Sequence, residues 1–316
     1  MSSILITGGT GFVGGRIAKK LSGKFGVIVS SRKTIEPAIL ALHGPIRQVH
    51  HQELLSEGSF PKKINTVIHL AALNEWDSVQ SPSEAIRVNV DETRILLENA
   101  QASGVENFIY FSTAHIYGSP MRGTITELSL PAPIHPYSIT HRAAEDYVLA
   151  AAAQKKIHSI VIRLSNSFGA PVLATVNRWT LLANDLAKQA IEKGRLSLLS
   201  NGCQYRDFIC LTDVENIIHE IIKRGPENCR QGIYNLGSGK SMKVIELAEK
   251  IVSIYRELFG ERINISFPAN SSPTEEAELN YRVDRLLKEG FVIGNDFEEE
   301  IKKLLLFCHQ NFTKIA

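Results

Sequence analysis

Short apolar runs alternate with longer amphipathic stretches through the first half of the chain. Runs at 4–7, 27–30, 46–49, 66–70, 107–112 and 159–164 read as strands, and 12–21, 83–103 and 137–154 as the helices between them. In the 83–103 stretch Val88, Ile95 and Leu96 recur on one face, which predicts a single amphipathic helix. This alternation is the pattern of a parallel sheet wrapped by helices. After Asn166 the rhythm loosens through Pro171 to Trp179, and a helix then runs to about Lys193. Strands at 196–199, 207–210 and 233–236 and helices at 214–223, 243–258 and 297–308 follow. The expected organisation is a nucleotide-binding domain over 1–166 and a smaller, mainly substrate-binding α/β domain over 167–316. The chain is expected to cross between the lobes more than once.

Composition narrows the class. A chain of 316 residues with 44% hydrophobic content can bury a large core. Its 35 basic and 33 acidic residues leave a net charge of +2, which argues against a nucleic-acid partner. No apolar run approaches the roughly 18 residues that a membrane helix needs. Met1–Ile6 runs into a strand without a basic region, so a signal peptide is not expected, and a cytoplasmic enzyme is. Cys203, Cys210, Cys229 and Cys308 are widely spaced, so neither a metal site nor a disulfide framework is expected.

The first chemical signal is Thr7-Gly8-Gly9-Thr10-Gly11-Phe12-Val13-Gly14, between a strand and a helix. Gly8 permits the tight turn, Gly11 lets a pyrophosphate approach the backbone, and Gly14 lets the helix pack closely on the sheet. The helix start, with Phe12 and Val13, offers N–H groups to the phosphates. This is the dinucleotide loop of a Rossmann-type doubly wound parallel sheet. A NAD site usually carries an acid after the second strand, to bind the adenosine 2′-hydroxyl. Here no Asp or Glu occurs between Gly14 and Glu36, and Ser30-Ser31-Arg32-Lys33 stands at that place. Ser31, Arg32 and Lys33 suit a 2′-phosphate, so NADP is expected over NAD.

Further along lie His69-Leu70-Ala71-Ala72, Asn89, Ser112-Thr113-Ala114-His115-Ile116-Tyr117-Gly118, Pro136-Tyr137, Arg163-Leu164-Ser165-Asn166 and Arg206-Asp207-Phe208. With the glycine loop and in this order, they resemble the extended short-chain dehydrogenase/reductase family, the NAD-dependent nucleotide-sugar epimerases, dehydratases and ketoreductases. The resemblance covers nearly the whole chain. It implies that Tyr137 transfers a proton at a sugar carbon, that Thr113 (rather than Ser112) orients the same oxygen, and that Leu70, Ala71 and Ala72 flank the cofactor. It also implies a homodimer through the helices near 83–103 and 137–155. Where such enzymes carry the lysine of Tyr-x-x-x-Lys, this chain has His141. The spacing keeps His141 on the face of Tyr137, whereas Arg142 points away. His can still bond the nicotinamide ribose, but with an ordinary pKa of about 6.5 it would be only partly charged at neutral pH.

On the substrate side, the resemblance gives Asn166 and Arg206 to a nucleotide diphosphate and His115 to the sugar. Asn177-Arg178-Trp179 could contact the base or line the pocket. A second phosphate-binding arginine, usual in the family, is absent from the acidic stretch Pro273-Thr274-Glu275-Glu276-Ala277-Glu278. Ala114-His115 stands where dehydratases often place Asp-Glu, and the Ser-Ser-Arg-Lys segment leans away from an epimerase with tightly held NAD. The leading expectation is therefore a ketoreductase of a nucleotide-linked sugar. Epimerisation, or a catalytically impaired dinucleotide sensor or scaffold, are the alternatives.

Overall fold

The computed structural model describes residues 3–268, 277–294 and 296–313. Seven strands form one parallel sheet: β1 (Ser3–Thr7), β2 (Gly26–Ser31), β3 (Ile46–His50), β4 (Ile64–His69), β5 (Asn107–Thr113), β7 (His158–Leu164) and β11 (Ile233–Leu236). Their order is β11-β7-β5-β4-β1-β2-β3. Smaller sheets take the other strands: β8 (Asn166–Phe168) with β10 (Tyr205–Cys210) and β12 (Ser241–Lys243), β9 (Arg195–Ser197) with β13 (Asn264–Ser266), and β6 (Gly123–Ile125) with β14 (Leu279–Tyr281). Having left for β8 to β10, the chain thus returns to the large sheet at β11. Among the described residues no helix is long and apolar enough to cross a membrane.

The apolar runs are continuous because both sheet faces are covered. Ile4, Ile6, Ile68, Ile109 and Ile162 face the helices Phe12–Ser22 and Leu211–Arg224. Leu5, Val67, Phe108 and Tyr110 face the helices Glu92–Ala102 and Pro136–Ala153. A separate core gathers Phe168, Phe208, Leu186, Leu247 and Leu304 from the second half of the chain. Arg16 ties the parts together, donating to Glu215 at 2.8 Å, Thr212 at 2.9 Å and Glu300 at 3.1 Å.

The expected continuous helix over 83–103 is not observed. Pro82–Ala85 passes into a π-helical turn, Ile86–Asp91, and only then into Glu92–Ala102. Asn89, buried in that turn, accepts from Leu73 N at 2.7 Å and donates to Thr140 Oγ1 at 3.0 Å. These bonds join the segment after β4 to the Pro136–Ala153 helix, and side-chain bonding of this kind overrides regular helix geometry.

Arg163 on β7 and Glu145 on the Pro136–Ala153 helix, 1% and 0% exposed, form a buried ion pair. Arg163 Nε and Nη2 reach the two carboxylate oxygens at 3.1 and 2.8 Å, and Nη1 donates to the Tyr117 hydroxyl at 2.8 Å. Removing one partner of a buried pair strands the other charge, a loss of about 3–5 kcal/mol. Arg163→Met should therefore lower the unfolding free energy from urea titration by about 3 kcal/mol, near the lower end of that range, since Arg142 still lies 3.2 Å from Glu145. Arg163→Met combined with Glu145→Gln should recover part of the loss. Equal destabilisation in the single and double variants would count against a charge effect.

Candidate functional site

The carboxyl ends of β1, β4, β5 and β7, with segments of the second half folded over them, enclose an open cavity of about 1000 Å³. Gly8, Gly11, Phe12, Val13 and Gly14 form one end of it. Gly8 has φ of +66°, and a Cβ on Gly14 would collide with the Gly8 carbonyl. That close approach holds the helix start against the loop. The Phe12–Ser22 helix has no side-chain cap and no acid in its first turn, while Lys19 and Lys20 lie in its last. Its N-terminus therefore presents backbone N–H groups and the positive dipole end to the cavity.

Beside this loop, Thr7 organises the segment after β4. Its hydroxyl meets His69 Nδ1 at 2.6 Å and accepts from Leu70 N and Ala71 N at 3.1 and 3.2 Å. His69 Nε2 meets Thr93 Oγ1 at 2.8 Å. Thr93 Oγ1 donates onward to the Asn89 carbonyl, so Nε2 carries the ring proton and Nδ1 accepts from Thr7. Burial first, then His51 and His141, hold the His69 pKa at about 3, so this imidazole is neutral. The result is a rigid Leu70-Ala71-Ala72 floor to the cavity.

Beyond β2 the cavity reaches Ser31 and Arg32, and the exposed Arg32 side chain lies at its rim. Lys33 does not line it. The Lys33 carbonyl accepts from Gln48 Nε2 at 2.7 Å, and its side chain is exposed. His51 and Glu92, which nothing in their spacing announced, complete this end, 3.3 Å apart.

At the centre stand Thr113, Tyr137 and His141, all lining the cavity. Pro136–Ala153 begins at His135, whose ring accepts from Tyr137 N at 3.2 Å. Proline at the first helical position suits this start. Burial pushes the Tyr137 phenol above its ordinary pKa and Glu75 adds to the rise, while Arg178 and the Thr113 hydroxyl pull against it. His141 meets Tyr137 edge-to-face, with ring centroids 4.4 Å apart. It is 3% exposed, its Nδ1 lies 2.8 Å from the Tyr110 hydroxyl, and Nε2 has no partner. Burial lowers its pKa to about 4. His141 is thus neutral at pH 7, where the sequence alone suggests partial charge. Arg142 turns outward to Asp146, at 2.7 Å. Ser112 is buried with its hydroxyl unpaired, beside Thr113.

The remaining wall carries His115, Asn166 and Arg206. Burial lowers the His115 pKa, opposed by Glu75 and reinforced by Arg206. Asn166 donates to the Asp207 carbonyl at 2.9 Å. Among the described residues the Arg206 side chain has no hydrogen-bond or ion-pair partner, and burial lowers its pKa. Its neighbour Asp207 does not compensate it. That carboxylate is fully buried and accepts from Ser165 Oγ at 2.6 Å and from Ser238 N and Oγ at 2.9 and 2.8 Å. A half-buried guanidinium with no side-chain partner, lining a cavity, has the chemistry to take an anion.

Across the cavity Arg178 pairs with Glu75 at 2.8 Å, joining the helix Glu75–Gln80 to the segment after β8. Although burial works the other way, Arg178 draws the Glu75 carboxyl below its ordinary range. Asn177 also lines the cavity, whereas Trp179 packs on Phe307 and Phe312 and belongs to the core. The acidic stretch Pro273-Thr274-Glu275-Glu276, expected to lack a phosphate arginine, lies outside the described residues.

Known proteins share this architecture over its full length. The chain is 27% identical to dTDP-D-glucose 4,6-dehydratase of Mus musculus, over 98% of this chain and 89% of that protein. It is 26% identical to UDP-glucose 4-epimerase of Azospirillum brasilense, over 93% and 88%. The solved structure of MoeE5 in complex with UDP-glucose and NAD superposes with a TM-score of 0.77 at 25% identity, covering 98% of this chain and 99% of that one. Residues 4–237 match the model of the NAD dependent epimerase/dehydratase family, and the chain belongs to that family.

Proposed function

We propose that the protein is an NADP(H)-dependent ketoreductase of a nucleotide-diphosphate sugar. The observation that carries the substrate class is Arg206, unpaired and half-buried beside Asn166 in the same cavity as Tyr137. The relatives named above are a dehydratase and an epimerase of nucleotide sugars, which agrees with that substrate class and leaves the reaction open.

The glycine loop and the Phe12–Ser22 helix start would hold the dinucleotide pyrophosphate, Leu70-Ala71-Ala72 its adjoining part, and Ser31 and Arg32 the 2′-phosphate. When bound, the reduced nicotinamide supplies a hydride to the carbonyl carbon of the sugar. Tyr137 donates its phenol proton to the carbonyl oxygen, Thr113 orients that oxygen, and His115 contacts the sugar. In this reading His141 occupies the place of the family lysine.

The direction follows from charge. Oxidation needs Tyr137 as phenolate to accept a proton, and a neutral His141 does nothing to stabilise phenolate. Reduction needs the phenol itself, the form that burial favours. Ala114 and His115 supply no Asp-Glu pair for dehydration. The specific observation favouring a non-catalytic dinucleotide sensor is the same neutral His141.

Three measurements test the parts of this reading. A charged hydrogen bond is worth about 1.5–3 kcal/mol, roughly ten- to hundredfold in affinity. Arg206→Ala should weaken nucleoside diphosphate binding by that factor in calorimetry and leave NADPH binding unchanged. Nucleoside diphosphates that neither bind nor compete with the sugar nucleotide would overturn the substrate class.

For the cofactor, Arg32→Ala should weaken NADPH by a similar factor and NADH hardly at all. Equal losses, or a native preference for NADH, would replace NADP(H) with NAD(H).

For the direction, native protein, His141→Lys and His141→Ala are compared over pH 5.5–9 in both reaction directions. Native His141 stays neutral throughout this window, because its pKa is about 4. The Lys variant should gain oxidation at high pH, by about tenfold or more, since a cation there lowers the Tyr137 pKa. The Ala variant should instead lose dinucleotide affinity. Identical behaviour of all three would make the sensor the better reading.

A further inference from the structure

We propose that Tyr110 is a positioning residue: its phenol donates to His141 Nδ1, fixes the imidazole as the Nε2–H tautomer, and so presents one neutral N–H donor to a hydroxyl of the nicotinamide ribose. The ribose contact rests on the dinucleotide reading given above; the tautomer does not.

Tyr110 lies on β5, 2% exposed, one residue from the cavity-lining Phe111. Its hydroxyl meets His141 Nδ1 at 2.8 Å, the single hydrogen bond that it makes among the described residues. A phenol has one proton to give, and Nδ1 is the acceptor within reach. Were Nδ1 protonated, that phenol proton would be buried without an acceptor, and Nε2 would be left as an unpaired buried acceptor. With the proton on Nε2, the phenol is satisfied and a single donor is left over. Nε2 is in fact unpaired within the protein, although His141 is 3% exposed and lines the cavity. His141 lines the cavity, so a bound ligand is the partner left to an Nε2–H donor.

The surroundings hold the pair in this state. Tyr110 packs between His69 and His141, with ring centroids 5.7 and 5.9 Å apart, and His69 is itself pinned by Thr7 and Thr93. The segment that forms the cavity floor therefore also sets where the Tyr110 phenol can sit. Burial keeps that phenol protonated and the His141 ring neutral. Of the charged groups facing His141, Glu75 is paired with Arg178 and makes no bond to the imidazole. Such a histidine reproduces the orienting contact of a lysine and none of its charge.

The tautomer is read directly by long-range nitrogen–proton NMR of His141 in the ligand-free protein at pH 7.5. Native protein should show Nε2 protonated and Nδ1 bare. Tyr110→Phe should give a mixture of tautomers and raise the NADPH dissociation constant roughly three- to tenfold, as for one neutral hydrogen bond. His141→Gln keeps a neutral N–H donor without a tautomer to choose. It should bind NADPH within about threefold of native and make binding insensitive to Tyr110→Phe, as a double-mutant cycle requires of coupled residues. A packing role for Tyr110 would instead give additive losses. A native Nδ1–H tautomer overturns the proposal, and so does a Tyr110→Phe protein with unchanged tautomer and affinity. If the tautomer is as stated and neither NADPH nor NADH binds, the dinucleotide reading fails and the ribose contact fails with it.

Discussion

The buried pair between Arg163 and Glu145 is the constraint on which the rest of the site depends. Tyr137, His141 and Glu145 recur every four residues and share one stripe of the Pro136–Ala153 helix. The last is clamped to β7 by two charge-assisted bonds, and the second is bonded to β5 through Tyr110. Only the first keeps its hydroxyl turned to the cavity. An isolated helix could rotate or slide by a fraction of a turn at small expense. Two polar anchors on different strands allow one position, because each buried group that lost its partner would be left unsatisfied. Arg163 reaches further. Its third contact, Tyr117, donates to Asn235 Oδ1 on β11 at 2.7 Å, and its own carbonyl accepts from Tyr281 on β14 at 2.8 Å. Arg163 thus fixes the helix that carries Tyr137, its guanidinium joining it through Tyr117 to β11 and its carbonyl to β14.

The reacting centre built on this frame is electrically quiet. His69 and His141 are both neutral, and their bonds go to hydroxyls. The cations stand further out, as Arg206 and Arg178 on the cavity wall and Arg32 at the rim. Arg178 pulls on the Tyr137 phenol, whereas neither Arg206 nor Arg32 is among the groups that shift it. In a partly desolvated site this separation matters more than in water, because a cation beside Tyr137 would favour phenolate strongly. The Glu75–Arg178 pair has a second consequence. Burial is the leading cause of the rise in the Tyr137 pKa, the pair's carboxylate adds to it, and its guanidinium works against it.

The large sheet was legible because strands covered on both faces are apolar in near-continuous runs, as Ile4-Leu5-Ile6 and Ile160-Val161-Ile162 are. The glycine loop was legible because backbone contact with the Gly8 carbonyl excludes any side chain at Gly14. Strands of three residues, such as β8 and β12, are too short to show a period. The π-helical turn escaped notice because its cause, the bonds from Asn89 to Leu73 and Thr140, joins residues up to 51 positions apart. Glu75 and Arg178 are 103 positions apart and obey no spacing rule. Lys33 looked like Arg32 in sequence, yet the chain turns after β2 and sends only Arg32 to the cavity. Tyr110 was hidden differently. In a run of Phe, Ile, Tyr and Phe it reads as one more core residue, and only its partner gives the hydroxyl a purpose.

That last point bears on why a histidine is tolerated at position 141 at all. An apolar residue at position 110 would leave Nδ1 of a buried imidazole with no partner, a loss comparable to that of any unsatisfied buried polar group, about 1–3 kcal/mol. A lysine at 141 would set a different problem, because an ammonium can only donate, and a phenol that must also dispose of its own proton is a poor match for it. Tyr110 and His141 are complementary in the one arrangement where the phenol gives and the imidazole receives. Each therefore constrains the choice at the other position. A pair of residues matched in this way sets an uncharged imidazole against the Tyr137 ring, 4.4 Å away between centroids, and brings no charge with it.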